Sequence, residues 1–180
     1  MLSTITIVLA ATTSLVSAIP TRTARDVPSV TDELTGVTHT VVAGRAGQLI
    51  FDPDNVVADI GDVIEWHYLP ANHSVVQSTF DAPCLPLSDT SFFSGFFPIK
   101  EGQSDEVFQV VVKDDKPIWY YCAQGTHCSS GMLGAINQDF DSDKTLREFK
   151  ELAKAAGPGV APPEITGGER IPNPNPNSGV

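Results

Sequence analysis

The stretch from Ile118 to Met132 constrains this chain more than any other. Ile118-Trp119-Tyr120-Tyr121 is a dense run of aromatic and β-branched residues, the composition of a buried strand. It runs directly into Cys122, with four residues between Cys122 and His127 and four more between His127 and Met132. Met132-Leu133-Gly134-Ala135-Ile136 then leaves as another apolar strand. A loop of this length, fed by one strand and drained by the other, can bring a thiol, an imidazole and a thioether to one point. Any fold for the chain must close that loop at one end of a β-layer.

Those three donor types, with a second imidazole, make a blue-copper ligand set: two histidine nitrogens, a thiolate and a weak axial methionine. The second imidazole has to come from outside the loop. His73, in Asn72-His73-Ser74-Val75, stands at a turn-to-strand transition, where a rigid scaffold presents ligands. His67 lies in Gly61-Asp62-Val63-Ile64-Glu65-Trp66-His67-Tyr68, the clearest strand of the sequence. There Ile64, Trp66 and Tyr68 share one face, so Glu65 and His67 are expected on the other, toward solvent. His39 has no donor at ligand spacing and is assigned to the surface. Zinc also takes His and Cys, but its sites recruit further Cys, His or carboxylate donors rather than a thioether, so Met132 favours copper.

The three cysteines agree with this arrangement. If Cys122 is a metal thiolate, Cys84 and Cys128 are free to pair; either alternative pairing consumes Cys122 and removes the site. Residues 1–18 hold a short apolar run ending in Val16-Ser17-Ala18 and read as a secretory signal peptide, too short to span a bilayer. No other stretch could span one. The net charge of −11 argues against nucleic acid, whose phosphates demand Lys and Arg, and fits an extracellular protein whose partner, if charged, is basic. Asn72-His73-Ser74 is also an N-glycosylation sequon, with Asn72 as acceptor, and its use stays open at this level.

The rest of the chain divides by composition. Residues 19–36 form a flexible leader and 37–138 a β-domain of about seven short strands with turn signals between them. That pattern, without βαβ alternation, indicates an antiparallel sandwich or barrel. Phe92-Phe93 and Phe96-Phe97 either cap the β-core or form an apolar docking patch. Residues 139–157 hold a helix: Leu146, Phe149, Leu152 and Ala153 make a stripe, Ser142 or Asp143 can cap it, and Gly157-Pro158 end it. Residues 158–180, rich in Pro, Gly and Asn, are expected to be disordered.

The residues His73, Cys122-x4-His127-x4-Met132 and the pair Cys84 and Cys128 together resemble the cupredoxins, the blue type 1 copper proteins, in a phytocyanin-like arrangement. Asn72-His73-Ser74-Val75, Phe80-x3-Cys84, Ser94-Gly95-Phe96 and Pro117-Ile118-Trp119-Tyr120-Tyr121-Cys122 resemble the fungal secreted members in particular. The resemblance covers about residues 37–138. It implies an all-β Greek-key β-sandwich holding one type 1 copper, with His73, Cys122, His127 and Met132 as ligands and Cys84 bonded to Cys128. Electron transfer, one electron at a time, is that family's usual role. A monomer is expected, and not an enzyme, since the ligand set leaves no open position for substrate and no Ser-His-Asp or paired-carboxylate constellation stands out. Extracellular copper sequestration, or a cell-wall or host-interaction module with structural copper, would use the same ligands.

Overall fold

The computed structural model describes residues 36–177; the expected signal peptide and all but the last residue of the leader lie outside the described residues. The chain enters with β1 (Thr38–Ala43), followed by the short strands β2 (Phe51–Asp52) and β3 (Asn55–Val56). β4 (Val63–Tyr68) comes next, then β5 (Ala71–His73) and β6 (Val76–Ser78). A Phe- and Pro-rich loop leads to β7 (Phe97–Ile99), β8 (Glu106–Val111), β9 (Ile118–Tyr121) and β10 (Leu133–Ile136). The helix α1 (Leu146–Ala153) and the strand β11 (Glu169–Pro172) follow.

Two sheets carry the domain, in the orders β11-β8-β4-β1-β2 and β3-β10-β9-β6, and β5 pairs with β7 beside them. Turn spacing suggests antiparallel sheets, but β1 runs parallel to β4 and β3 parallel to β10. The reason is a crossover. β2 returns beside β1, β3 passes to the other sheet, and the chain comes back along β1 in its original direction. This is Greek-key β-sandwich connectivity.

The core fills the space between the sheets as the alternation of β4 requires. Ile64, Trp66 and Tyr68 are fully buried in it. The Trp66 ring lies 5.3 Å from Tyr120, 5.6 Å from Phe92 and 6.2 Å from Phe108, centroid to centroid. The opposite face of the four-stranded sheet carries Trp119, Tyr121, Leu133 and Ala135, and α1 covers it with Leu146, Phe149 and Ala153. Phe149 packs 5.1 Å from Trp119, and burying such a ring contributes roughly 2–3 kcal/mol. The helix begins later than its composition suggests, because the Thr145 hydroxyl accepts the Glu148 N–H and so caps it. Leu152, expected in the apolar stripe, is 46% exposed; the buried line runs through 146, 149 and 153.

Three further expectations are corrected. His67 does not face solvent: it is 2% exposed, its Nε2 paired at 2.5 Å with the Glu65 carboxylate and its Nδ1 with the Gln103 carboxamide. Gln109, directly opposite Glu65 on β8, donates to the second carboxylate oxygen at 2.6 Å. Alternation on β4 predicts the face correctly, but partners from β8 and the loop before it bury it. His39 is bonded, not free on the surface: its Nε2 lies 2.7 Å from the Asp62 carboxylate, which also accepts the N–H groups of Val37 and Asp59. The third correction concerns residues 158–180, which are not a disordered tail through their described part. Thr166 and Phe93 exchange two backbone hydrogen bonds, and β11 pairs antiparallel with β8 from Glu169↔Gln109 to Pro172↔Glu106. β8 would otherwise present an open edge, and this segment satisfies its backbone groups. Of the four phenylalanines in the 92–97 loop, Phe92, Phe93 and Phe97 are buried and cap the core, while Phe96 is 36% exposed.

Candidate metal centre

β9 delivers Cys122 to one end of the sandwich, and backbone bonds close the loop behind it. The Cys122 N–H bonds the Met132 carbonyl at 3.1 Å, and the Met132 N–H bonds the His127 carbonyl at 2.9 Å. Inside the loop, the His127 N–H bonds the Gln124 carbonyl and the Gly131 N–H bonds the Cys128 carbonyl. The loop is therefore a set of nested turns that fixes where its side chains point. β5 supplies His73, its last residue, held to β7 in register with Phe97.

The structure brings three of the four expected donors together. The ligand atoms of His73, Cys122 and His127 lie within 4.8 Å of one another, a group of titratable donors assembled from two chain segments. Cys122 Sγ is 3.4 Å from His127 Nδ1, near the ~3.5 Å that separates a nitrogen and a sulfur bound tetrahedrally to one ion. The His73 and His127 rings lie 5.3 Å apart, inclined at 49°. Met132 is fully buried in the apolar cluster that also contains Cys122. Its backbone ties it to both Cys122 and His127.

The site's electrostatics fit a metal ion. His73 is 1% exposed, yet among the described residues neither ring nitrogen makes a hydrogen bond of full geometry. Leaving a buried imidazole so is costly unless another group takes a lone pair. Its pKa is pushed down to about 4, by burial first and then by His127; the Pro70 carbonyl acts in the opposite sense. Burial lowers His127 as well. Both rings are thereby held neutral, the form that binds metal. Cys122 is a buried free thiol whose pKa is raised by burial, while the N–H groups of Gln124 and Ser74 and the Ser74 hydroxyl pull it down. Donors already aimed at sulfur, next to neutral imidazoles, suit a thiolate sharing a cation.

The walls of the site come from positions that carry no motif. Gly44, at φ 88°, packs so closely on His73 that a Cβ there would sit 2.5 Å from Nε2. Ser74 Oγ accepts the Ala123 N–H at 2.9 Å and donates toward Cys122 Sγ at 4.0 Å. Cys84 and Cys128 form a disulfide with Cα atoms 5.6 Å apart, as the cysteine arithmetic anticipates, and it anchors the residue next to His127. Closing a loop of this separation is worth about 4 kcal/mol in the chain-entropy account. Gly44 and Ser74 escape sequence reasoning because a glycine after a strand and a serine after a histidine are commonplace; only the fold aims them at the site.

No family model matches the chain. Two curated proteins of the fungus Arthroderma benhamiae do. The one named "Probable GPI-anchored cupredoxin-1" is 37% identical over 128 residues, which cover 71% of this chain and 65% of that protein. The chain is a cupredoxin relative. The other, named "Extracellular serine-rich protein", is 34% identical over 128 residues, covering 71% of this chain and 49% of that protein. The chain thus spans less than two thirds of the length of either curated relative. Among solved structures it is similar to a dithionite-reduced auracyanin from Roseiflexus castenholzii, at 14% identity and a TM-score of 0.39, over 56% of this chain and 94% of that one. It is also similar to a mutant fern plastocyanin, at 18% identity and a TM-score of 0.39, over 54% of this chain and 97% of that one.

Proposed function

We propose that this cupredoxin relative is an extracellular copper protein that carries single electrons. The observation that supports it most is the closure of His73, Cys122 and His127 to within 4.8 Å, with both imidazoles held neutral. One copper ion bound there would supply one-electron chemistry between Cu(I) and Cu(II). His73, Cys122 and His127 would hold it, and the Met132 thioether would add a fourth, weaker donor. The chain's own part is rigidity and access. The disulfide, the nested turns and the Ser74 hydroxyl fix the donors in one arrangement for both oxidation states. His73, Cys122 and Met132 are buried and exclude water, while His127 is half-exposed and offers the edge by which an electron enters or leaves. With four protein donors the site would keep no open position for a substrate, which favours an electron carrier over a catalyst. The names of the two curated relatives support an extracellular setting, and the charge of −11 supports a basic redox partner. Among the described residues no helix is long and apolar enough to cross a membrane.

Addition of Cu(II) to the metal-free protein is expected to raise an intense visible thiolate-to-copper band, absent in Cys122→Ser, with reversible voltammetry. A colourless or zinc-selective protein would overturn the proposal, and a blue protein without reversible electron exchange would reassign it to copper sequestration.

A further inference from the structure

The triplet Asn72-His73-Ser74 has the sequence of a glycan acceptor, but all three of its side chains are turned to the metal pole. Asn72 Nδ2 donates to Gln124 Oε1 at 2.6 Å, across 52 residues of chain. The Gln124 carbonyl in turn accepts the His127 N–H at 2.9 Å. A short relay therefore runs from the strand that carries His73, through Gln124, to the backbone of His127. Among the described residues Asn72 Oδ1 is buried without a partner, so the bond through Nδ2 is what holds this carboxamide in place. Two residues on, the Ser74 hydroxyl is 0% exposed and bonded to the Cys122 segment at both its donor and its acceptor sides.

We propose that Asn72 is a latch and not a glycan acceptor: its carboxamide locks β5 to the Cys122–Met132 loop and sets the position of His127. Glycan transfer needs both the Asn nitrogen and the Ser hydroxyl of the triplet within reach, and a sequon in use marks an exposed loop. Here the hydroxyl is sealed, and β5 is paired to β7 with Asn72 opposite Pro98. A sugar on Nδ2 would replace one of the two hydrogens of a nitrogen already 2.6 Å from Gln124. The role of the latch in metal binding rests on the copper reading above, but the bond itself belongs to the metal-free chain and is tested there.

The two carboxamides allow a swap test. Asn72→Asp leaves an acceptor toward which Gln124 can turn its own N–H, and Gln124→Glu leaves an acceptor facing the Asn72 donor. Each single variant keeps a hydrogen bond, whereas the double variant opposes two carboxylates and loses it. In the metal-free full chain, amide exchange at His127 is expected within about threefold of wild type in each single variant and about tenfold or more faster in the double. Copper release from the loaded protein to a chelator is expected to follow the same order. A double variant no faster than the product of the two singles overturns the latch. Protein secreted from a glycosylating eukaryotic host is expected to carry no sugar at Asn72 by peptide mass mapping, and a glycan there overturns the proposal. If wild type takes up no copper, the metal reading falls, while the exchange measurement still decides the latch.

Discussion

Gly159 donates its backbone N–H to the Gly125 carbonyl at 2.8 Å, so the segment after the helix is bonded to the middle of the loop that carries His127. Val160 adds two links: its N–H to the Cys84 carbonyl at 2.9 Å, and its carbonyl to the Tyr121 hydroxyl at 2.5 Å. Part of what sequence composition marks as a tail is therefore a wall of the metal pole.

The wall has little slack. A Cβ on Gly159 would lie 2.8 Å from Ala123 Cα and 3.1 Å from the Cys122 carbonyl oxygen, both backbone atoms that cannot swing aside. Gly159→Ala is expected to destabilise the protein by about 1–3 kcal/mol in denaturant unfolding, as overpacked sites do. A variant as stable as wild type would show that the segment lifts off freely.

Gly44 constrains the other side of the site. Its φ of 88° disfavours a side chain, at roughly 1–2 kcal/mol, and the added methyl would meet His73 at 2.5 Å. Gly44→Ala is expected to displace the imidazole, costing stability and weakening copper binding by about tenfold or more, read by competition against a chelator. Unchanged affinity would show that His73 is not held by this contact.

Asp62 gives a pH dependence away from the metal pole. Its pKa lies below the ordinary 3.8, through the His39 hydrogen bond first and then the N–H groups of Asp59 and Val37, with burial opposing them. The folded state therefore prefers the carboxylate more than the unfolded chain does. The stabilisation is complete above the unfolded value and is lost as pH falls below it through the depressed one. Asp62→Asn is expected to unfold more readily than wild type at pH 6, with the gap narrowing below pH ~4. A gap that stays constant into acid would assign the effect to shape rather than charge.

The cluster of His73, Cys122 and His127 was legible in the sequence because it carries rare chemistry, two of its members at fixed spacing, and one strand could be seen running into Cys122. The cysteine pair followed only on the condition that Cys122 is kept as a thiolate. β4 was legible from its alternation, and Phe149 from its helical period. What escaped is pairwise and non-local. Glu169-Arg170-Ile171-Pro172 has no strand pattern of its own and becomes β11 because β8 offers it an edge. His67 is buried because Gln103 reaches it and Gln109 faces Glu65 from β8, which alternation along β4 cannot reveal. Ser74 and Gln124 are ordinary polar residues until the fold turns them to the Cys122 loop.

The direction of β11 has a practical consequence. It runs from the Gln109 end of β8 to the Glu106 end, and Asn173 then bonds the Ser104 carbonyl at 2.8 Å, where Ser104 is itself held to Tyr68 at the end of β4. β1 starts at the opposite pole, with Thr38 beside Val63. A linker attached beyond Asn173 thus leaves from the same pole as His73 and Cys122, and one attached ahead of Thr38 leaves from the far side. For a protein wired to an electrode surface, the choice of attachment point would turn the donor cluster toward the conductor or away from it.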